Sequence, residues 1–386
     1  MPGTKKEKDP RMGLVGGQAV LEGVMMRSGD RCALSVRRVV QTAENVENAQ
    51  DAQTAEAAQD TQTAETAQPA GTDADAPAAE PKTEIKTICR TVTSVRKKYR
   101  ICDFPIIRGC VTFVEQLKLS MDTLTKSAEM QGIELDEPET KFEKWLDRKF
   151  GGKVMNAAAA VGSFLGVVLA VVLFILFPLL AAKGIDSASG GFVSLHPVLR
   201  SAIEGLIRIA IFVLYIWGVS FIPDIRRTFE YHGAEHKSVA CFEKGLELTP
   251  ANAKGCTRFH PRCGTSFIFV MLIISIIINS FIIIDVVWIR MLTKLVTIPL
   301  IVGIGYEFIR YAGCHSNVFT KILSAPGLWM QRITTKEPDE DQLEVALTAL
   351  RYAIPEEFGG IRDEAEEGPT SPEEKPVAET AEDDAE

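Results

Sequence analysis

Three of the chain's five histidines stand with a glutamate and a cysteine between two apolar stretches. Residues 230–245 read EYHGAEHKSVACFEKG, and RFHPRCGTSF follows at 258–267. If the first segment is helical, His232 and His236 lie one turn apart on one face, and Glu235 borders that face. The order His-x-x-Glu-His is the inverted zincin pattern. There two imidazoles hold a divalent metal, most often zinc, and the glutamate takes a proton from water that the metal activates. On this reading His260, Cys263 or Glu307 supplies the third ligand and Glu235 is the base. So short a pattern also fits a solvated helix whose histidines are incidental, and Cys263 fits equally as a small buried thiol. Arg258 and Arg262, beside Thr265 and Ser266, either anchor the chain by their charge or line an anion site at a helix start.

Apolar segments on either side must position this constellation. Met155–Ala182 carries no charge and exceeds the roughly 20 residues that cross a bilayer. Ala202–Ile222 is a second predicted span, with Glu204 and Arg208 spaced to pair on one helix face. Ser266–Ile284 is a third, and a shorter fourth runs over about Leu295–Ile309 and contains Glu307, a carboxylate that is costly at that depth unless paired or metal-bound. Lysines and arginines crowd the approach to the first span and the 223–264 loop. The positive-inside rule therefore places both termini and that loop in the cytoplasm, with Arg290 and Lys294 on the outer side. His315 follows the fourth span, so every histidine except His196 falls on the cytoplasmic face. All eight cysteines lie on the predicted cytoplasmic side or at its border, which argues for reduced thiols or ligands and against a disulfide framework. No signal peptide is visible in MPGTKKEKDP.

The fold class expected is mainly α. It is a polytopic membrane protein of about four transmembrane helices, with a small cytoplasmic α+β N-terminal part that contains a β-hairpin. Residues 1–41 hold a glycine-rich stretch, GGQAVLEGVMMR, and a first strand. Gln18 and Glu22 are polar among apolar neighbours there, and Arg27 is placed to pair with Glu22. The stretch reads either as a turn into a strand or as a loop covering the membrane-face site. Residues 42–82 are Ala, Gln, Glu, Asp and Thr without aromatics, a composition predicted to stay disordered. Residues 83–150 supply a second strand and an amphipathic helix over Phe104–Met130, which lies on the membrane or serves as a core helix. Spans one and two (151–222), the cytoplasmic loop (223–264), spans three and four (265–315), C-terminal helices (316–361) and an acidic disordered tail (362–386) complete the chain. The formal charge of −9 resides largely in the two acidic tracts, and no basic–aromatic motif points to nucleic acid. The expected partners are the lipid bilayer and other membrane proteins.

Taken together, GGQAVLEGVMMRS, FPIIRGCVTFVEQLKLSMDTLTKSAE, EYHGAEHKSVACFEKGLELTPANAK and RFHPRCGTSF closely resemble the bacterial YqhQ-like family. These are polytopic membrane proteins of unknown function that carry the label of predicted metal-dependent enzymes. The resemblance covers about Gly13 to Pro355, the 42–82 insertion excepted. It implies a bacterial plasma-membrane location and the candidate set His232, Glu235, His236, His260, Cys263 and Glu307, with Gln18, Glu22, Arg27 and Arg262 as weaker members. Two functions compete. One is a metal-dependent membrane enzyme, of hydrolase type. The other is a non-catalytic scaffold, assembly factor or transport accessory with a structural His/Cys cluster. The sequence leaves the substrate open.

Overall fold

A computed structural model describes residues 11, 13–39, 83–132, 153–193, 196–284, 286–314, 317–358 and 366–367. The predicted disorder of 42–82, the tail beyond 367 and His315 lie outside them.

Alternating β-branched and apolar residues form four antiparallel strands in sequence order: β1 (Val15–Val20), β2 (Gly23–Ser28), β3 (Arg31–Val39) and β4 (Thr83–Thr91). Glu366–Glu367 adds a two-residue parallel pairing along β4. The expected hairpin is thus the β3–β4 half of a larger meander, and the glycine-rich stretch supplies strands β1 and β2 rather than a loop. Long helices follow: α1 (Ile107–Met130), α2 (Lys153–Val171), α3 (Phe177–Ala188), α4 (Pro197–Val219), α5 (Pro223–Glu243), α6 (Gly264–Ser280), α7 (Val287–Cys314), α8 (Val318–Thr334) and α9 (Glu340–Ala353).

Both faces of the sheet are covered, because successive side chains on a strand point to opposite sides. Val24, Met26 and Ala33 join Tyr231 and Ala234 of α5 and Leu343 and Leu347 of α9 in the main core. Val20, Met25, Leu34 and Val36 face the other way and meet Leu119 of α1. The result is a three-layer α/β/α unit.

Register brings Val39 opposite Thr83, so the two ends of the 40–82 connection are adjacent. Loop-closure entropy falls by about 0.6 kcal/mol for each halving of a flexible loop. Replacing residues 42–80 with a short polar turn should therefore leave the thermal midpoint unchanged or slightly raised. A drop of several degrees would show that the insertion carries packing of its own.

The remaining long helices among the described residues form a bundle. Among the described residues, three helical stretches are long and apolar enough to cross a membrane: Phe164–Ala188, Pro197–Val219 and Val287–Ala312. The first runs from α2 through a π turn at Val172–Leu176 into α3. The predicted third span is α6, a shorter apolar helix. The predicted fourth span extends well beyond Leu295–Ile309 at both ends as α7. Arg290 and Lys294, expected in an outer loop, instead lie inside α7 and are buried. Both contact the carboxylate of Glu204 on α4, as does Arg200, so the apolar surroundings enclose paired charge. The expected Glu204–Arg208 pair does not form. Arg208 donates to the Phe174 carbonyl in the π turn and to Ser275 Oγ, because a π turn leaves a carbonyl without its regular helical partner.

Candidate metal centre

Proline in its first turn starts α5 immediately after α4. Gly245 ends it in a left-handed conformation, with Leu246 N–H bonded to the Cys241 carbonyl, a Schellman closure. Between these ends every residue from Gly233 to Phe242 is buried. The segment is therefore a central helix of the α/β unit, not a solvated one.

His232 and His236 lie one turn apart, with ring centroids 4.5 Å from each other. Each is oriented by a backbone carbonyl. Nδ1 of His232 is 2.9 Å from Thr334 O, and Nδ1 of His236 is 2.5 Å from Arg258 O. A carbonyl can only accept, so each neutral ring carries its proton on Nδ1 and leaves the Nε2 lone pair free. Both Nε2 atoms face a common point. Cys263, the residue capping the start of α6, places Sγ 3.3 Å from His232 Nε2, and one ligand atom from each of the three residues lies within 4.8 Å of the others. Glu235 Oε2 is 3.7 Å from His236 Nε2 and 3.9 Å from His232 Nε2. Two imidazole nitrogens, a thiol sulfur and a carboxylate match zinc's preferred donors, so the residues present fit such an ion. Burial pushes the Glu235 carboxyl above the usual carboxylate range, against the opposing pull of His232, His260 and the Gly17 N–H. Burial likewise lowers His236 and keeps its ring neutral.

The glycine-rich strand closes one side of the site. A Cβ at Gly17 would fall 2.7 Å from Glu235 Cγ and 2.9 Å from Met25 O, so β1 reaches α5 this closely only with glycine there. The other candidates from that strand pair act elsewhere. Gln18 accepts a 2.6 Å bond from Ser120 Oγ of α1. Glu22, at the β1–β2 turn, is gripped by Arg227 and receives the Tyr231 hydroxyl, which ties the sheet to the start of α5. The expected Arg27–Glu22 pair is absent. Arg27 instead donates to the carbonyls of Gly29 and Val92, since it lies on a strand and Glu22 turns toward α5.

Two residues proposed as third ligand stand apart from the cluster. Glu307 receives both ends of the Arg108 guanidinium from α1, an ion pair that occupies its two oxygens and explains how a carboxylate is tolerated in α7. His260 sits one layer out, its ring centroid 5.6 Å from that of His236, with Nε2 directed to Glu243 and Arg262. Glu243 also binds Arg262 and the Gly13 N–H. Burial raises the Glu243 carboxyl, but His260, Gly13 and Arg262 outweigh it and hold the group below its ordinary value. Arg258 donates to Thr335 O, so both arginines of the expected anion site are engaged by protein groups. Glu243 and the Thr334 and Arg258 carbonyls are site components that sequence reasoning missed. Glu243 lies seven residues beyond His236 on the same helix, a spacing that could have pointed to it. Backbone carbonyls leave no sequence signal.

Fold and site together define a bundle of apolar helices capped by an α/β/α unit, with a largely buried His–His–Cys–Glu cluster where the two meet. Residues 104–356 match the family model described as protein of unknown function DUF1385, and the chain belongs to that family. It is 32% identical over 251 residues to the uncharacterized protein YqhQ of Bacillus subtilis (strain 168), an alignment covering 65% of this chain and 77% of that relative. No solved structure matches.

Proposed function

We propose that this is a four-span plasma-membrane protein, with α6 as the third span, α7 as the fourth and both termini cytoplasmic. At its cytoplasmic face it holds one divalent metal, zinc, through His232, His236 and Cys263, and it acts as a metal-dependent hydrolase. The observation that carries this reading is the pair of Nδ1–carbonyl bonds, which turns both free imidazole lone pairs toward the Cys263 sulfur. When bound, such an ion supplies Lewis acidity and lowers the pKa of a coordinated water. Three protein donors leave a fourth position open, the arrangement that separates catalytic from structural zinc sites. Glu235, close to both Nε2 atoms and backed by Gly17, is placed to accept a proton there. Thr334 and Arg258 hold the rings in the tautomer that binds metal.

The alternative is a structural cluster in a scaffold or transport accessory, with Glu235 as a fourth ligand that closes the site. Glu235→Gln separates the two. As a base, its loss leaves zinc content at the wild-type level and abolishes rescue of a deletion strain's phenotype. If the variant loses zinc, or keeps zinc and rescues fully, Glu235 is not the base.

A further inference from the structure

At the end of the bundle where α6 begins and α7 finishes, α8 packs against α6 and touches α7. Phe319 packs on Phe308 of α7 and Leu323 joins the Val270/Ile274/Ile301 cluster. One turn further on, Gly327 touches Ser266, where a Cβ would come within 2.5 Å of the Ser266 Cα. Gln331 then bonds both the Ser266 hydroxyl and the His260 carbonyl. These contacts place α8 against α6, with its last turns beside Ser266 and His260 at the start of that helix.

This helix has two unlike faces. Thr320, Ser324, Gln331 and Thr334 are buried, and Thr334 O is the acceptor that orients His232. The opposite face presents Val318, Ile322 and Trp329 uncovered, with Ile322 67% exposed. Its only charged residues are Lys321 and Arg332, both exposed and both cationic. A second helix carries an apolar stripe at the same end, with Glu115 and Asp122 beside it held by Ser94 and Arg90 and Glu129 exposed. Phe113 of α1 meets Phe267 of α6, while Val114, Leu117 and Met121 remain exposed on one stripe beside exposed Lys118.

We propose that α8, together with the exposed stripe of α1, forms a collar seated in the headgroup–acyl boundary of the bilayer. An apolar stripe with Trp, flanked on α8 only by cations, is the chemistry of a helix lying in a membrane interface, and anionic headgroups complement Lys321, Arg332 and Lys118. Continuity favours lipid over a protein partner, since α8 follows directly on α7, a helix of spanning length and composition. The collar fixes the height of the His232 site at the membrane surface, because one helix carries both the exposed stripe and the Thr334 carbonyl. The collar rests on the membrane placement proposed above and does not depend on bound metal.

The test is fluorescence of the full chain in lipid nanodiscs, with Trp145, Trp217 and Trp288 replaced by Phe so that Trp329 alone emits. Phosphatidylcholines brominated near the headgroup should quench Trp329 strongly, while lipids brominated near the bilayer centre and aqueous iodide should quench it weakly. In the otherwise unmodified chain, the difference between wild type and Trp329→Phe isolates the same signal if the triple variant does not fold. Quenching by iodide alone would mean that the stripe faces water. Quenching strongest at the bilayer centre would mean that α8 is inserted as a span. Protection from every quencher would mean that a protein surface or a second copy covers it. Any of these three results overturns the proposal.

Discussion

Purified in mild detergent without chelator, the chain should carry one zinc ion per molecule, and His236→Ala should carry none. Losing an outer-shell partner of a metal ligand typically costs ~10–100-fold in affinity, and losing the ligand itself should exceed that range. Thr334 and Arg258 contribute through their backbones, so a side-chain substitution at either position leaves the orienting bond in place. The ligand substitution is therefore the informative one. His196→Ala is the control, because His196 precedes α4 and lies far along the chain from the cluster, with Nδ1 against the Phe192 carbonyl. Elemental analysis reads the stoichiometry directly. Metal should also stabilise the fold. An ion that binds only the native state adds about 4 kcal/mol at a free concentration of roughly 1,000 times its Kd. Chelation should thus lower the thermal midpoint of the wild type and leave that of His236→Ala unmoved. Equal midpoints for the wild type with and without chelator, together with zinc-free preparations, would eliminate the metal reading and leave a hydrogen-bonded cluster.

Gly233→Ala should cripple the same site through the backbone. Gly233 lies between His232 and Glu235 on α5, against the strand-like connection from α8 to α9. A Cβ there would fall 2.0 Å from the Lys336 carbonyl oxygen and 3.3 Å from Pro338 Cδ. Neither neighbour can swing aside cheaply, because Lys336 N–H is bonded to the Phe229 carbonyl at 2.8 Å and so stitches the connection to α5. Overpacking a tight interior typically costs about 1–3 kcal/mol, and a clash with fixed backbone belongs at or beyond the top of that range. Moving Lys336 also moves Thr335 and Thr334, whose carbonyls hold Arg258 and His232. The expected result is a lowered unfolding midpoint together with weakened zinc retention. A variant that kept the wild-type midpoint would show that α5 and the 335–338 connection are less closely apposed than the structure has them.

Much of the chemistry was legible because it depends on local spacing. The one-turn separation of His232 and His236, the flanking Glu235, and Gly245 as the stop of α5 all follow from a helical period of 3.6 residues and from the left-handed freedom of glycine. The apolar runs announced themselves through length and lack of charge. Where the reading failed, it lacked the identity of the opposing group. Glu307 looked like a ligand because an intramembrane carboxylate needs a partner, and nothing in the sequence named Arg108, which stands 199 positions away. Arg27 looked like the partner of Glu22 because it was near in sequence, whereas Arg227, 205 positions distant, took that place.

The sequence by itself determined the helix carrying the two histidines, the spanning-length apolar segments, the strands on either side of the 40–82 connection, and family membership through four ordered motifs. Tertiary structure decided which of several polar residues meet. It selected Cys263 over His260 and Glu307 as the neighbour of the imidazoles, and it set Gly17 against Glu235. It also gathered Glu204, Arg290 and Lys294 inside the bundle, where the sequence had suggested a loop for the last two. The physical reason is range. Periodicity, capping and hydropathy act over a few residues and are written in order along the chain. Pairing of buried charge and orientation of a ring by a carbonyl depend on elements that meet only once the sheet, α5, α6 and α8 have packed.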